Sequence, residues 1–190
     1  MLRDLIEKNR SYRRFREDVP VGPEVLRDLV GLARLSASAG NLQPLKYILS
    51  WEPKKNRLIF PHLAWAAYLK NWPGPGEGER PSAYIIILGD TAVSKTFGCD
   101  HGIAAQSILL GAVERGLGGC MIASIQRNQL KEALKIPARF EILLAIALGI
   151  PVEEVVIEDA GEGGGIEYFR DKNGVHHVPK RRLEEIILPL

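Results

Sequence analysis

Apolar positions recur along this chain with two periods. Leu2, Leu5 and Ile6 lie on one side of a short amphipathic helix running to Asn9. Behind Pro23, which suits a first helical turn, Val25, Leu26, Leu29, Val30 and Ala33 repeat with helical period. That helix runs into a polar stretch, Ser36–Pro44, and Tyr47-Ile48-Leu49-Ser50-Trp51 then reads as a strand. Leu58-Ile59-Phe60 is a short strand or a turn, and His62–Trp72 is predicted to be a helix whose aromatics pack in the core or stack on a planar ligand. Pro73-Gly74-Pro75-Gly76-Glu77-Gly78 interrupts all regularity and predicts a surface loop or a flap.

The second half is more apolar. Ala83–Gly89 does not alternate, as expected of a strand covered on both faces. Asp100 caps a long helix to about Arg115, with a face of small and apolar residues suited to close helix packing, inside the domain or against a second subunit. Gly116-Leu117-Gly118-Gly119 ends it; a dinucleotide fingerprint would lie between a strand and a helix start, so no Rossmann unit is inferred. Cys120-Met121-Ile122 reads as a strand, Gln126–Leu134 as a helix and Ile142–Ile150 as a buried strand. Gly161–Gly165 predicts a flexible connection. Asn173-Gly174 predicts a hairpin turn between Ile166–Arg170 and Val175–Val178, and Leu183–Ile187 closes the chain in a helical turn or two.

Composition narrows the classes. With 190 residues and 46% hydrophobic side chains, the chain suits a single globular domain spanning residues 1–190. A net charge of +2 argues against a nucleic-acid binder with a broad basic stripe, so any anion site must be local. Two cysteines, Cys99 and Cys120, form no disulfide framework or zinc pattern and are expected to be buried, inert thiols. There is no apolar leader and no run long enough to span a membrane, so a soluble cytoplasmic protein with no membrane partner is expected.

Three polar clusters carry the candidate chemistry. Arg10-Ser11-Tyr12-Arg13-Arg14-Phe15 is a phosphate clamp or a solvated basic turn. Ser38, Asn41 and Gln43, inside Ser36–Pro44, offer donors and acceptors beside a glycine. Lys180-Arg181-Arg182 is a second basic cluster, and the two make sense together if they meet on one phosphate. No P-loop, zinc motif or nucleophile motif is present, and His176-His177 are expected to be exposed or partly packed, without metal.

At these residues the chain resembles the flavin-dependent nitroreductase family. The family's early Arg/Ser-x-Arg-x-Phe pattern is matched by Arg10–Phe15, and its Ser-Ala-Gly-Asn-Leu-Gln-Pro run by Ser38–Pro44. Its long helix ending Gly-Leu-Gly is matched by Asp100–Gly118, and its terminal Pro-Lys/Arg segment by Pro179–Glu185. Ala37 and Leu45 depart from the family's usual Pro and Trp. The resemblance implies an α+β fold, a mostly antiparallel sheet wrapped by helices, in an intertwined homodimer. It implies FMN as cofactor and no protein acid or base in catalysis. Arg10, Ser11 and Arg13 would hold the phosphate and ribityl chain with Lys180 or Arg181. Ser38, Asn41 and Gln43 would come from the partner subunit, and backbone groups of Ile122, Ala123 and Ser124 would face the isoalloxazine ring. The implied activity is an NAD(P)H-dependent, two-step ping-pong reduction of an electron-poor acceptor such as a nitroaromatic or quinone. The alternative is a flavin-binding sensor or storage protein without turnover.

Overall fold

The computed structural model describes residues 1–161 and 163–188, so Glu162 of the predicted glycine-rich connection lies outside it. Helices α1 (Leu2–Lys8) and α2 (Pro23–Arg34) precede strand β1 (Leu45–Ser50) and helix α3 (Pro53–Ile59). Strand β2 (Ala83–Asp90), helix α4 (Asp100–Glu114), strand β3 (Gly118–Ile122), helix α5 (Arg127–Ala133) and strand β4 (Phe140–Gly149) follow. Strands β5 (Val155–Asp159), β6 (Phe169–Arg170) and β7 (His176–Lys180) and helix α6 (Leu183–Ile186) complete the described chain.

The main sheet has the order β1-β2-β4-β3, antiparallel throughout. Every residue of β2 is buried, and its alternate side chains serve two cores. Ile85 and Ile87 meet Leu26, Leu29, Ala105 and Ile108 of α2 and α4. Tyr84, Ile86 and Leu88 meet Ile59, Leu130 and Ile122 on the other face. Two covered faces explain why the strand does not alternate. The small-residue face of α4 packs inside the subunit: a Cβ on Gly111 would lie 2.2 Å from Leu32 Cδ1 of α2. Gly111 therefore lets the two helices approach side by side over the sheet. A second sheet, β5-β7-β6, carries the predicted hairpin, with β6 and β7 antiparallel.

Four expectations are corrected. Residues 62–72 are not a helix. Leu63 bridges Ile125, and the Ala64 N–H donates to the Ser124 carbonyl at 2.9 Å, so pairing with a distant segment wins over local helical composition. Leu58-Ile59-Phe60 is neither a strand nor a turn leading into that helix: it ends α3, which starts at Pro53, and begins a short 3-10 turn. Cys99 is exposed; only Cys120 is buried. His176 is buried, walled by the second sheet and by Arg13. The Pro73–Gly78 loop is tied down, since the Gly78 N–H donates to Glu17 Oε2 at 2.6 Å and Gly74 lies against the Trp65 ring.

Candidate functional site

The site begins where the segment after α1 lies against β3. Ser11 forms a parallel bridge with Gly119, and the Tyr12 N–H donates to the Gly119 carbonyl at 3.0 Å. Only glycine fits there: a Cβ on Gly119 would lie 2.7 Å from the Ala147 carbonyl and 2.5 Å from Leu109 Cδ2. This close approach sets residues 10–13 beside β3, while β7 brings His176 and Lys180 to the same place.

Between them is a cavity of about 360 Å³, lined by Asn9, Arg10, Ser11, Gln106, His176 and Lys180 among others. It continues into a slot of about 230 Å³, walled by Trp65, Ala66, Ile122, Ala123 and Ser124. Arg13, Met121 and Tyr168 line both parts, which makes them one cleft. No carboxylate lines either part among the described residues. A chain of nearly balanced charge thus concentrates positive charge in one place, which suits an anion.

Arg10 donates from Nη2 to the Ile6 carbonyl at 2.7 Å, and its Nε is buried with no partner. Burial pulls its guanidinium below the ordinary arginine pKa. Arg13 is buried; Nη1 donates to the Ser11 carbonyl at 3.2 Å and lies 3.1 Å from His176 Nε2. Its guanidinium sits 4.8 Å from the Tyr168 ring centre, a cation–π contact. Because arginine only donates, His176 Nε2 must accept there, and the imidazole is neutral. Burial, then the charges of Arg13 and Arg170, pushes the His176 pKa down to about 4. Behind this layer Glu153 accepts the backbone N–H groups of Arg13 and Arg14 and the Arg170 Nη2 donor at 2.8 Å. Tyr168 in turn meets Tyr68 edge-on, with ring centres 4.9 Å apart.

Of the sequence-derived candidates, Arg10, Ser11, Arg13, Ile122, Ala123, Ser124 and Lys180 line this cleft. Arg181 does not; it is exposed, and of the two alternatives only Lys180 faces the cavity. Ser38 and Gln43 lie across α4, in a separate recess with Asp100 and Tyr47. There the Ser38 hydroxyl donates to Asp100 Oδ2 at 2.6 Å, and the Ala39 N–H donates to Oδ1 at 3.0 Å. Asp100 is the first residue of α4, after its cap, and its carboxylate holds this loop. Asn41 and Gln43 both have positive φ and are joined by a side-chain hydrogen bond at 3.1 Å. Within one chain, then, the polar run does not reach the cleft.

Sequence reasoning missed Gln106, Glu153 and Tyr168. A glutamine inside a helix, an acid after a strand and a lone tyrosine carry no local signal.

The basic cavity and its adjoining slot fit a phosphorylated cofactor with a planar ring: Arg10 Nε lacks a partner, Lys180 lines the same cavity, and no acid does among the described residues. The sequence profile of the Nitroreductase family matches residues 6–150. An NADH dehydrogenase of Thermus thermophilus is 26% identical over 175 residues, covering 77% of this chain and 85% of that protein. The crystal structure of a nitroreductase family protein from Streptococcus pneumoniae superposes with a TM-score of 0.72 at 20% identity, covering both chains fully. A structure from Exiguobacterium sibiricum in complex with FMN superposes with a TM-score of 0.67 at 16% identity, covering 80% of this chain and 89% of the other.

Proposed function

The chain belongs to the nitroreductase family and is an oxidoreductase; from that premise we propose that it binds FMN and uses NAD(P)H to reduce an electron-poor acceptor in two alternating half-reactions. The observation that carries this reading is the carboxylate-free basic cavity opening into a slot of backbone and small side chains. Arg10 and Lys180 hold the phosphate, with bidentate geometry open to the guanidinium. Ser11 addresses the ribityl chain, and Arg13, held between His176 and Tyr168, presents a fixed positive charge where cavity and slot meet. The residues Ile122, Ala123 and Ser124 wall the ring. FMN, when bound, supplies the hydride-carrying ring, and the protein contributes binding, orientation and electrostatics.

The working unit is a homodimer in the cytoplasm. Ser38 and Gln43 line a recess separate from the cleft, and a partner subunit brings Ser38, Asn41 and Gln43 to the flavin. Trp65 and Tyr168, which flank the slot, offer aromatic surface to an electron-poor acceptor such as a nitroaromatic or quinone.

The test is an absorption spectrum of the purified protein with mass-spectrometric identification of the released chromophore, followed by NADH and NADPH oxidation with menadione and nitrofurazone. A yellow protein that releases FMN and turns over supports the reading. A colourless protein that also fails to take up added FMN overturns it. Bound FMN without turnover leaves a flavin carrier, and a monomer that keeps its flavin in sedimentation overturns the shared site.

A further inference from the structure

A second cavity of about 360 Å³ lies away from the cleft, between α3, the start of β2 and the segment before α2. Its size is within the usual range for small-molecule sites. It shares no lining residue with the cleft described above.

Its polar groups are unusual because they are left without partners. Tyr84 is fully buried and Ser82 is 6% exposed, and neither side-chain hydroxyl has a hydrogen-bond partner. Arg80 Nε is also buried and unpartnered. Buried donors without partners are costly and rare in folded proteins. Tyr84, Ser82 and Arg80 all line this cavity, with Glu17 in the same wall. By contrast the neighbouring Asn56 is satisfied, donating to the Ser82 carbonyl at 2.7 Å and accepting from Ser50.

The charge pattern selects a ligand. Among the described residues no carboxylate pairs with Arg80 or Arg57. Glu17 already accepts two backbone N–H groups, and Asp18 is held by Arg16. One carboxylate oxygen of each acid is thus engaged, while the side-chain donors of Arg57, Arg80, Ser82 and Tyr84 have no hydrogen-bond acceptor among the described residues. The remaining walls are flat and apolar. Arg80 stacks on the Phe60 ring at 4.5 Å, and Trp51 forms another wall. Glu17 and Asp18 in the same lining disfavour a ligand with several negative charges.

We propose that this cavity is a second ligand site, separate from the flavin cleft, for a planar aromatic molecule bearing one carboxylate. The carboxylate takes the donors of Arg80, Ser82 and Tyr84, and the ring lies against Trp51. The site adjoins the slot of the cleft where the Phe60 ring meets the Trp65 ring, with ring centres 5.9 Å apart.

The probe is 2-naphthoate, titrated into isotope-labelled protein saturated with FMN and followed by amide chemical shifts. Shifts clustered at residues 17–18, 51–57 and 80–84 are expected, with affinity at least tenfold weaker in Tyr84→Phe and Arg80→Met. Tyr84→Phe keeps or raises the melting temperature, because it removes a hydroxyl that is unpartnered without ligand; this separates lost binding from lost folding. Shifts confined to residues 64–67 and 120–124 overturn the proposal, as do variants that bind normally. Equal binding of neutral 2-methylnaphthalene, or no shifts at millimolar probe, overturns it too.

Discussion

Replacing Glu153 tests how the segment at residues 10–14, which lines the candidate cleft, is held. The Glu153 side chain is 1% exposed and Arg170 only 17%, with 2.8 Å between Nη2 and Oε2. Glu153→Ala leaves the Arg170 cation largely desolvated and removes the acceptor for the N–H groups of Arg13 and Arg14. Breaking a buried pair by deleting one partner costs about 3–5 kcal/mol, and each orphaned backbone donor adds about 1–3 kcal/mol before water enters to relieve it. A net loss of about 4 kcal/mol is expected, a large share of the roughly 5–15 kcal/mol that stabilises a domain. In urea, with a slope of about 2–3 kcal/mol/M, the midpoint moves down by about 1–2 M. Glu153→Gln keeps one acceptor oxygen but turns an NH2 group toward Arg170, so it recovers part of the loss. FMN affinity falls in both variants, because Arg13 and Ser11 lose their anchor. A Glu153→Ala protein within about 1 kcal/mol of wild type refutes the electrostatic argument. Normal FMN affinity in that variant refutes the link from anchor to site.

Arg10→Ala removes a charge-assisted phosphate contact worth about 1.5–3 kcal/mol, so FMN binds about 10- to 150-fold more weakly in a fluorescence titration. His176 has a folded pKa lowered from 6.5 to about 4, so its contribution to stability is complete above pH 6.5 and is lost as pH falls toward 4. The loss reaches about 3 kcal/mol, and His176→Gln flattens this slope in paired denaturation curves at pH 4.5 and 7. His177 acts oppositely: its hydrogen bond to Glu158 raises its pKa, so its contribution is full below pH 6.5 and is lost as pH rises through the raised value. Gly119→Ala forces a Cβ to within 2.7 Å of a backbone oxygen and destabilises by about 1–3 kcal/mol, weakening FMN binding with it. Gly102→Ala, inside α4 with nothing within 4 Å, instead stabilises by up to about 1 kcal/mol in the same melts.

The elements that local pattern specifies were legible in the sequence. Strand β2 announced its two covered faces by an unbroken apolar run, α2 by its period behind Pro23, and the β6–β7 hairpin by Asn173-Gly174. Residues 62–72 misled because their helical composition yields to partners about 60 positions away, the bridge from Leu63 to Ile125 and the bond from Ala64 to Ser124. Helix α3 was missed because it is largely exposed, with only Ile59 buried. His176 was misjudged because its burial depends on Arg13 and on a sheet assembled from three separate short strands.

The candidate site divides along the same line. That Arg10, Ser11, Arg13 and Lys180 would meet was legible because basic clusters are conspicuous, and the fold brings both ends of the chain to one cavity. Glu153 and Tyr168 were not, because their roles arise from contacts across about 140 or more residues. The most conspicuous run, Ser36–Pro44, teaches the opposite lesson. Its hydroxyl and amide groups are partly spent inside the subunit, on Asp100 and on each other. Ser38 and Gln43 line a separate recess with Asp100 and Ala104 of α4, while Gln106 and Leu109 of that helix line the cleft itself. Helix α4 is therefore the divider between the two halves of the chemistry. Within one chain the two polar groups stay apart, and the proposed dimer is what would join them.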